Sequence, residues 1–190
     1  MVFIALEGFS GTGKTTISRL LARRGWVAIP ESAHFVPKTV PLADRGNTYS
    51  DYALIGATLT SSYDIVNLRR ERNVVADGYI VSDLTYSKIR YERGQSKAYP
   101  VLRRFVFSLL KDKLLVPDLF VVLKADEDTI YRRQKYKEER EKNINIYFME
   151  RYYKILYMLH REMGHNFTNL STDERKEKTE RKIVEMVEKL

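Results

Sequence analysis

Gly8-Phe9-Ser10-Gly11-Thr12-Gly13-Lys14-Thr15, followed by Thr16, fits the spacing G-x-x-x-x-G-K-[ST]. Residues of these types at this spacing bind phosphate. The glycines let consecutive main-chain N–H groups curl around phosphate oxygens, and a following helix presents the positive end of its dipole. Lys14 is expected to reach the β- and γ-phosphates of a nucleoside triphosphate, and the Thr15 hydroxyl to ligate Mg²⁺. Gly8, Ser10, Gly11, Thr12, Gly13, Lys14, Thr15 and Thr16 are thus the candidate ATP-binding set. The stretch points to ATP or GTP, and does not say what is done with it.

Further along are acids and bases that can work with such a loop. Glu31 follows an apolar run, Trp26 to Ile29, and reads either as a carboxylate facing a phosphate acceptor or as a solvated loop acid. Asp77 ends a second apolar run, Val74-Val75-Ala76. In P-loop enzymes an Asp there holds Mg²⁺ directly or through water; the alternative is a helix cap or a turn acid. Tyr86 either lines a base pocket or packs against a sheet. Arg132, Arg133 and Lys137 form a basic cluster ahead of Glu138-Glu139. On a lid at about residues 132–143 they would spread the charge of a transferring phosphoryl group; otherwise they belong to a solvated charged helix.

These residues need elements to place them. Val2 to Glu7 reads as a buried strand, Lys14 to Arg24 as a helix stopped by Gly25, and Trp26 to Ile29 as a second strand. Helices are expected at 51–72, 99–114 and 144–163, strands at 74–77, 118–124 and 166–170. Asp126 is expected to cap the helix after the fourth strand, and Thr172 or Asp173 the last helix. Strands alternating with helices imply right-handed crossovers and a parallel sheet, with the site beyond the strands' carboxyl ends. The aromatic stripe Tyr147, Tyr153, Tyr157 reads as packing. His160 and His165 lack metal-ligand spacing and read as structural or exposed. The basic Arg69-Arg70-Arg72 cluster suits a helix C-terminus.

The chain has 190 residues, enough for one sizeable core, so a single domain over 1–190 is expected. With 44% hydrophobic residues it is globular, and without cysteine it has neither a disulfide framework nor a thiolate metal site. No apolar run approaches the ~20 residues of a membrane span, and the start does not read as a signal peptide, so a cytoplasmic protein without membrane partners is expected. The net charge of +8 suits anionic phosphate substrates. No nucleic-acid module is visible, so no nucleic-acid partner is expected; a nucleotide-dependent switch or nucleic-acid-associated ATPase is the alternative from another class.

Phe3-Ile4-Ala5-Leu6-Glu7-Gly8 through Thr16 resembles the opening of thymidylate kinases and deoxynucleoside kinases. Asp77-x-Tyr79-x-x-Ser82-x-x-Thr85-Tyr86 is similar to the thymidylate kinase stretch D-R-Y-x-x-S-x-x-A-Y. Trp26 to Ser32 resembles the deoxynucleoside kinase stretch whose Glu is the catalytic base, which would be Glu31. Pro117-Asp118-Leu119 and the Arg-bearing helix after it look like the fifth segment and lid. The resemblance implies an α/β P-loop fold with a five-stranded parallel sheet of order 2-3-1-4-5 and a helical lid. It further implies ATP- and Mg²⁺-dependent transfer to a nucleoside monophosphate such as dTMP, or alternatively to a nucleoside hydroxyl with Glu31 as base. Glu31, Asp77, Tyr86 and Arg90 make the candidate acceptor-binding set, Thr15 and Asp77 the candidate metal set. Related kinases are often dimers, and the 51–72 helix is a candidate contact. Three departures stand out: Ser10 replaces an Asp inside the P-loop, Gly78 replaces the Arg after the Asp, and no Arg occurs at 57–60.

Overall fold

The computed structural model describes residues 1–42, 45–111, 116–134 and 148–190. Its elements run β1 (Phe3–Glu7), α1 (Lys14–Arg23), β2 (Val27–Ile29), a 3-10 turn (Ser32–His34), α2 (Thr48–Leu68), β3 (Val74–Asp77), α3 (Ile80–Glu92), α4 (Tyr99–Leu110), β4 (Leu119–Lys124), α5 (Glu127–Gln134), α6 (Met149–Glu162), β5 (Phe167–Ser171) and α7 (Lys176–Val187). The five strands are parallel and ordered β2-β3-β1-β4-β5, the order the resemblance implied.

β1, β3 and β4 are near-continuous apolar runs because helices cover both faces of the sheet. Side chains alternate between faces along each strand. Phe3 and Ala5 pack with Tyr79, Phe120 and Tyr152 on the face covered by α2, α3, α4 and α6. Ile4 and Leu6 pack with Ile17, Leu21 and Ile183 under α1 and α7. A smaller cluster, Ala33, Val36, Val40 and Leu42 against Leu54, anchors the loop after β2 to α2.

Register brings the site together. Leu6 pairs with Asp77 and Glu7 with Val122, so β1 and β3 end side by side and deliver Asp77 next to the P-loop. The loop after β2 crosses the same edge and delivers Glu31.

Several boundaries differ from expectation. α2 starts at Thr48, three residues early, because Asn47 and Ser50 form a reciprocal cap there. β4 starts after Asp118, whose carboxylate accepts the Phe3 main-chain N–H at 2.7 Å. Asp126 caps α5 as expected, accepting the Thr129 N–H at 2.6 Å. Neither Thr172 nor Asp173 caps α7: its N-cap is Arg175, without a side-chain hydrogen bond. Thr172 Oγ1 is instead shared by Thr12 O at 2.8 Å and Lys124 O at 3.1 Å, and Asp173 accepts the Asp126 N–H at 2.7 Å. Long-range partners outbid the local helix end for both side chains. His160 is fully buried, not exposed. The outer face of α2 exposes Tyr49, Tyr52 and Tyr63. Among the described residues no helix is long and apolar enough to cross a membrane.

Candidate active site

The P-loop adopts the conformation its glycines predict. Gly8 has φ +145, and a Cβ there would stand 2.6 Å from Leu123 O and 2.9 Å from Thr12 Oγ1, so no side chain fits. Gly13, the N-cap of α1, has φ +96, and no side chain caps that helix. The first-turn N–H groups of α1 are thus left facing the place a phosphate would take. Thr12 is buried and turned inward, donating to Phe9 O at 2.8 Å. The Lys14 ammonium lies on the loop itself, 2.9 Å from Gly8 O and 3.5 Å from Phe9 O.

Asp77 stands near Lys14 and the Thr15 hydroxyl, both of which favour its ionised form. Burial, and then the neighbouring Glu31 carboxylate, push the Asp77 carboxyl above its ordinary range; Lys14, Thr15 and His34 oppose that. Its Oδ1 is buried without a partner. A hydroxyl and a carboxylate oxygen in need of a cation, next to a phosphate cradle, fit Mg²⁺, which takes one or two protein oxygens and completes its shell with water and phosphate. The residues present therefore suit the metal.

Glu31 is half-buried and central. A Cβ on Gly78 would be 3.5 Å from Glu31 Cγ and 3.8 Å from Lys14 Cε, so the bare glycine leaves the space between Glu31 and Lys14 open. At φ +81 that position also suits glycine and not arginine. Glu31 acts electrostatically on Asp77, Asp83 and Tyr86 alike. Asp83 is held by Thr58 Oγ1 at 2.5 Å and Ser32 Oγ at 3.1 Å, and burial pushes its carboxyl up to about 6. Sequence reasoning missed Asp83 and its two hydroxyl partners; the one available signal was an acid inside an amphipathic helix.

Tyr86 takes the packing role of the two expected of it. It packs on Tyr152, with ring centroids 5.0 Å apart, and its hydroxyl takes a hydrogen bond from the Ser10 main chain. Arg90 is placed differently. It is 1% exposed, its Nε lies 2.8 Å from Asp51 Oδ1, and Ser96 bonds the same carboxylate. Arg90 braces the start of α2 against the end of α3, and its guanidinium lies 5.9 Å from the centre of the Tyr86 ring.

The two arginines in the last turn of α5 diverge. Arg133 Nη1 donates to Gly11 O at 3.2 Å and Thr172 Oγ1 at 3.0 Å, and Nη2 to Thr172 O at 2.7 Å, tying α5 to the P-loop and the end of β5. Arg132 turns back onto its own helix, to Thr129 Oγ1 at 3.0 Å. Lys137 and most of the expected lid lie outside the described residues. Beside the P-loop, Gly13, Thr16, Ile17, Arg133 and Thr172 line a cavity of about 380 Å³ that extends to α7. Thr172 was not anticipated as a site residue. Among the described residues no cluster of three or more His, Cys, Asp or Glu could hold a metal alone.

Known proteins match this arrangement. Residues 4–190 match the deoxynucleoside kinase family. A curated relative, the probable thymidylate kinase of Methanocaldococcus jannaschii, is 29% identical over 150 residues, covering 74% of this chain and 73% of that protein. Deoxyadenosine kinase from M. mycoides with bound dATP superposes with a TM-score of 0.71 at 17% identity, covering 98% of this chain and 99% of the other. Thymidylate kinase from Candida albicans gives 0.70 at 18%, covering 99% and 91%. With the family matched over nearly its whole length and the phosphate cradle in place, this chain belongs to the deoxynucleoside kinase family of P-loop phosphotransferases.

Proposed function

We propose that the chain transfers the γ-phosphoryl group of ATP to the hydroxyl of a nucleoside. The observation that carries this reading is the cluster of acids at the acceptor end. Glu31 acts on both Asp77 and Asp83 there, and Gly78 stands where an arginine would bring positive charge. A dianionic monophosphate would be repelled by that cluster, at a Coulomb cost of about 4 kcal/mol per close like-charge pair near a protein surface. A neutral nucleoside would not.

In this reading the triphosphate lies on the P-loop amides and the α1 N-terminus. Lys14 leaves the Gly8 carbonyl for the phosphate oxygens. Thr15 and Asp77 would hold Mg²⁺, which would supply positive charge to the transferring phosphates. The donor's base and ribose take the cavity edged by Arg133 and Thr172. Glu31 accepts the proton of the attacking hydroxyl across the space that Gly78 leaves open. Positioning and electrostatics provide most of the rate, because the transition state is loose.

The second reading is transfer to a monophosphate, which the M. jannaschii relative and the Ser82–Tyr86 spacing favour. A thermal-shift screen with a non-hydrolysable ATP analogue separates the two, because a ligand that binds only the folded state raises its melting temperature. Free deoxynucleosides are expected to add to the shift caused by the analogue. A shift with monophosphates and none with nucleosides would move the assignment to the second reading.

A further inference from the structure

Glu7 is the last residue of β1, one position before the P-loop begins. The rest of that strand is apolar, and Glu7 itself is 0% exposed. Nothing in the reaction outlined above uses it. Its Oε2 accepts the Ser82 hydroxyl of α3, and Ser82 Oγ lies 2.7 Å from the Tyr152 hydroxyl of α6. With Ser82 donating to Glu7, Tyr152 must donate to Ser82. One directed chain therefore runs from α6 through α3 to the P-loop entrance.

Glu7 Oε1 is buried and has no partner. Lys14 and Asp83 both act on the carboxyl, with opposite sign, and a Tyr79 main-chain hydrogen bond completes its polar surroundings. Lys14 is engaged with the loop carbonyls. An ionised carboxylate with one bare oxygen in so dry a place is costly, and a neutral acid much less so. Burial accordingly pushes the group up to about 8.

We propose that Glu7 works as a neutral carboxylic acid, a positioning residue that holds the start of the P-loop against α3 and α6 through Ser82 and Tyr152. The neutral form fastens the loop with hydrogen bonds and places no negative charge behind the phosphate cradle. An apolar residue would give no anchor, and an ionised one would oppose the donor's phosphates. This inference rests on the donor half of the proposed function alone.

The test is ATP affinity by titration calorimetry, with the melting temperature, for Glu7→Gln, Glu7→Asp and Tyr152→Phe in the full chain. Gln keeps the length and the neutral hydrogen-bonding shape, and its Kd is expected within about threefold of wild type. Asp is one methylene short of Ser82, and its Kd is expected to rise about tenfold, equivalent to the loss of a buried hydrogen bond. Tyr152→Phe keeps the ring, loses the outer hydroxyl, and is expected to raise Kd about threefold. Measured well below the melting temperature, these changes exceed what a loss of fold stability alone would produce. Glu7→Gln weakening ATP as far as Glu7→Asp would show that the charge is needed and overturn the proposal. Wild-type affinity in all three variants would overturn it as well. The acceptor does not enter the measurement, so a wrong acceptor assignment leaves this result readable.

Discussion

At the donor end of the site, the groups that face a phosphate are main-chain N–H groups, shaped by Gly8 and Gly13 and backed by the uncapped start of α1. Beyond that end lie the side-chain carboxylates of Glu31, Asp77 and Asp83, set on three separate segments and, in the proposed reading, on the acceptor side. The donor cradle is positive by virtue of backbone geometry and is indifferent to most side chains. The acidic cluster depends on which residue each segment happens to deliver. The contrast teaches where the proposed reaction is generic and where it is specific: any triphosphate suits the first, while in the proposed reading the second selects a neutral substrate.

Breaking the donor half should have the largest effect. Lys14→Ala removes the ammonium that would meet the phosphates, and turnover is expected to fall about a thousandfold, with the fold intact by circular dichroism. An unaffected rate would take Lys14 out of the mechanism. On the acceptor half, Glu31→Gln is expected to cut kcat by about a hundredfold or more, the usual worth of a general base, while ATP affinity changes little. Equal losses in both would argue for a role in binding instead. Arg90→Met leaves the Asp51 carboxylate buried and unpaired, and should cost about 3–5 kcal/mol of stability. Denaturant melts measure that, and a raised acceptor KM at unchanged stability would instead place Arg90 in the pocket.

A last effect, on stability alone, comes from a region remote from both halves. His160 and His165 face each other with Nδ1 atoms 3.3 Å apart beneath Phe120, and both Nε2 atoms are buried without partners. Burial lowers His160 to about 3 and His165 to about 4. Their folded values lie below the unfolded value near 6.5, so the unfolded chain binds more protons in that window. The stability they contribute is complete above about pH 6.5 and falls with acid by up to about 1.4 kcal/mol per pH unit for each histidine. Melts at pH 7 and pH 5 check this; replacing both with Phe should flatten the slope.

The same contrast explains what the sequence could reveal. A main-chain cradle is built by neighbours in sequence, so Gly8 to Thr16 announce it through spacing alone. Glu31 and Asp77 were legible too, because each ends an apolar run and parallel sheets put strand ends at the site. The strand order came through family resemblance and not through periodicity. What stayed hidden are contacts between distant positions. Ser82 meets Glu7 across 75 residues and Thr172 meets Thr12 across 160; no local pattern encodes either. Arg90 was placed in the acceptor set beside Tyr86, and only packing shows that Asp51 already neutralises it.

The acidic character of the acceptor pocket is tested most directly by following the label. With ATP carrying a labelled γ-phosphate, Mg²⁺, and equal amounts of free deoxynucleosides and their monophosphates, the products are separated by ion exchange. Label in nucleoside monophosphates, lost in Glu31→Gln, is the predicted result. Label found in diphosphates alone would contradict it.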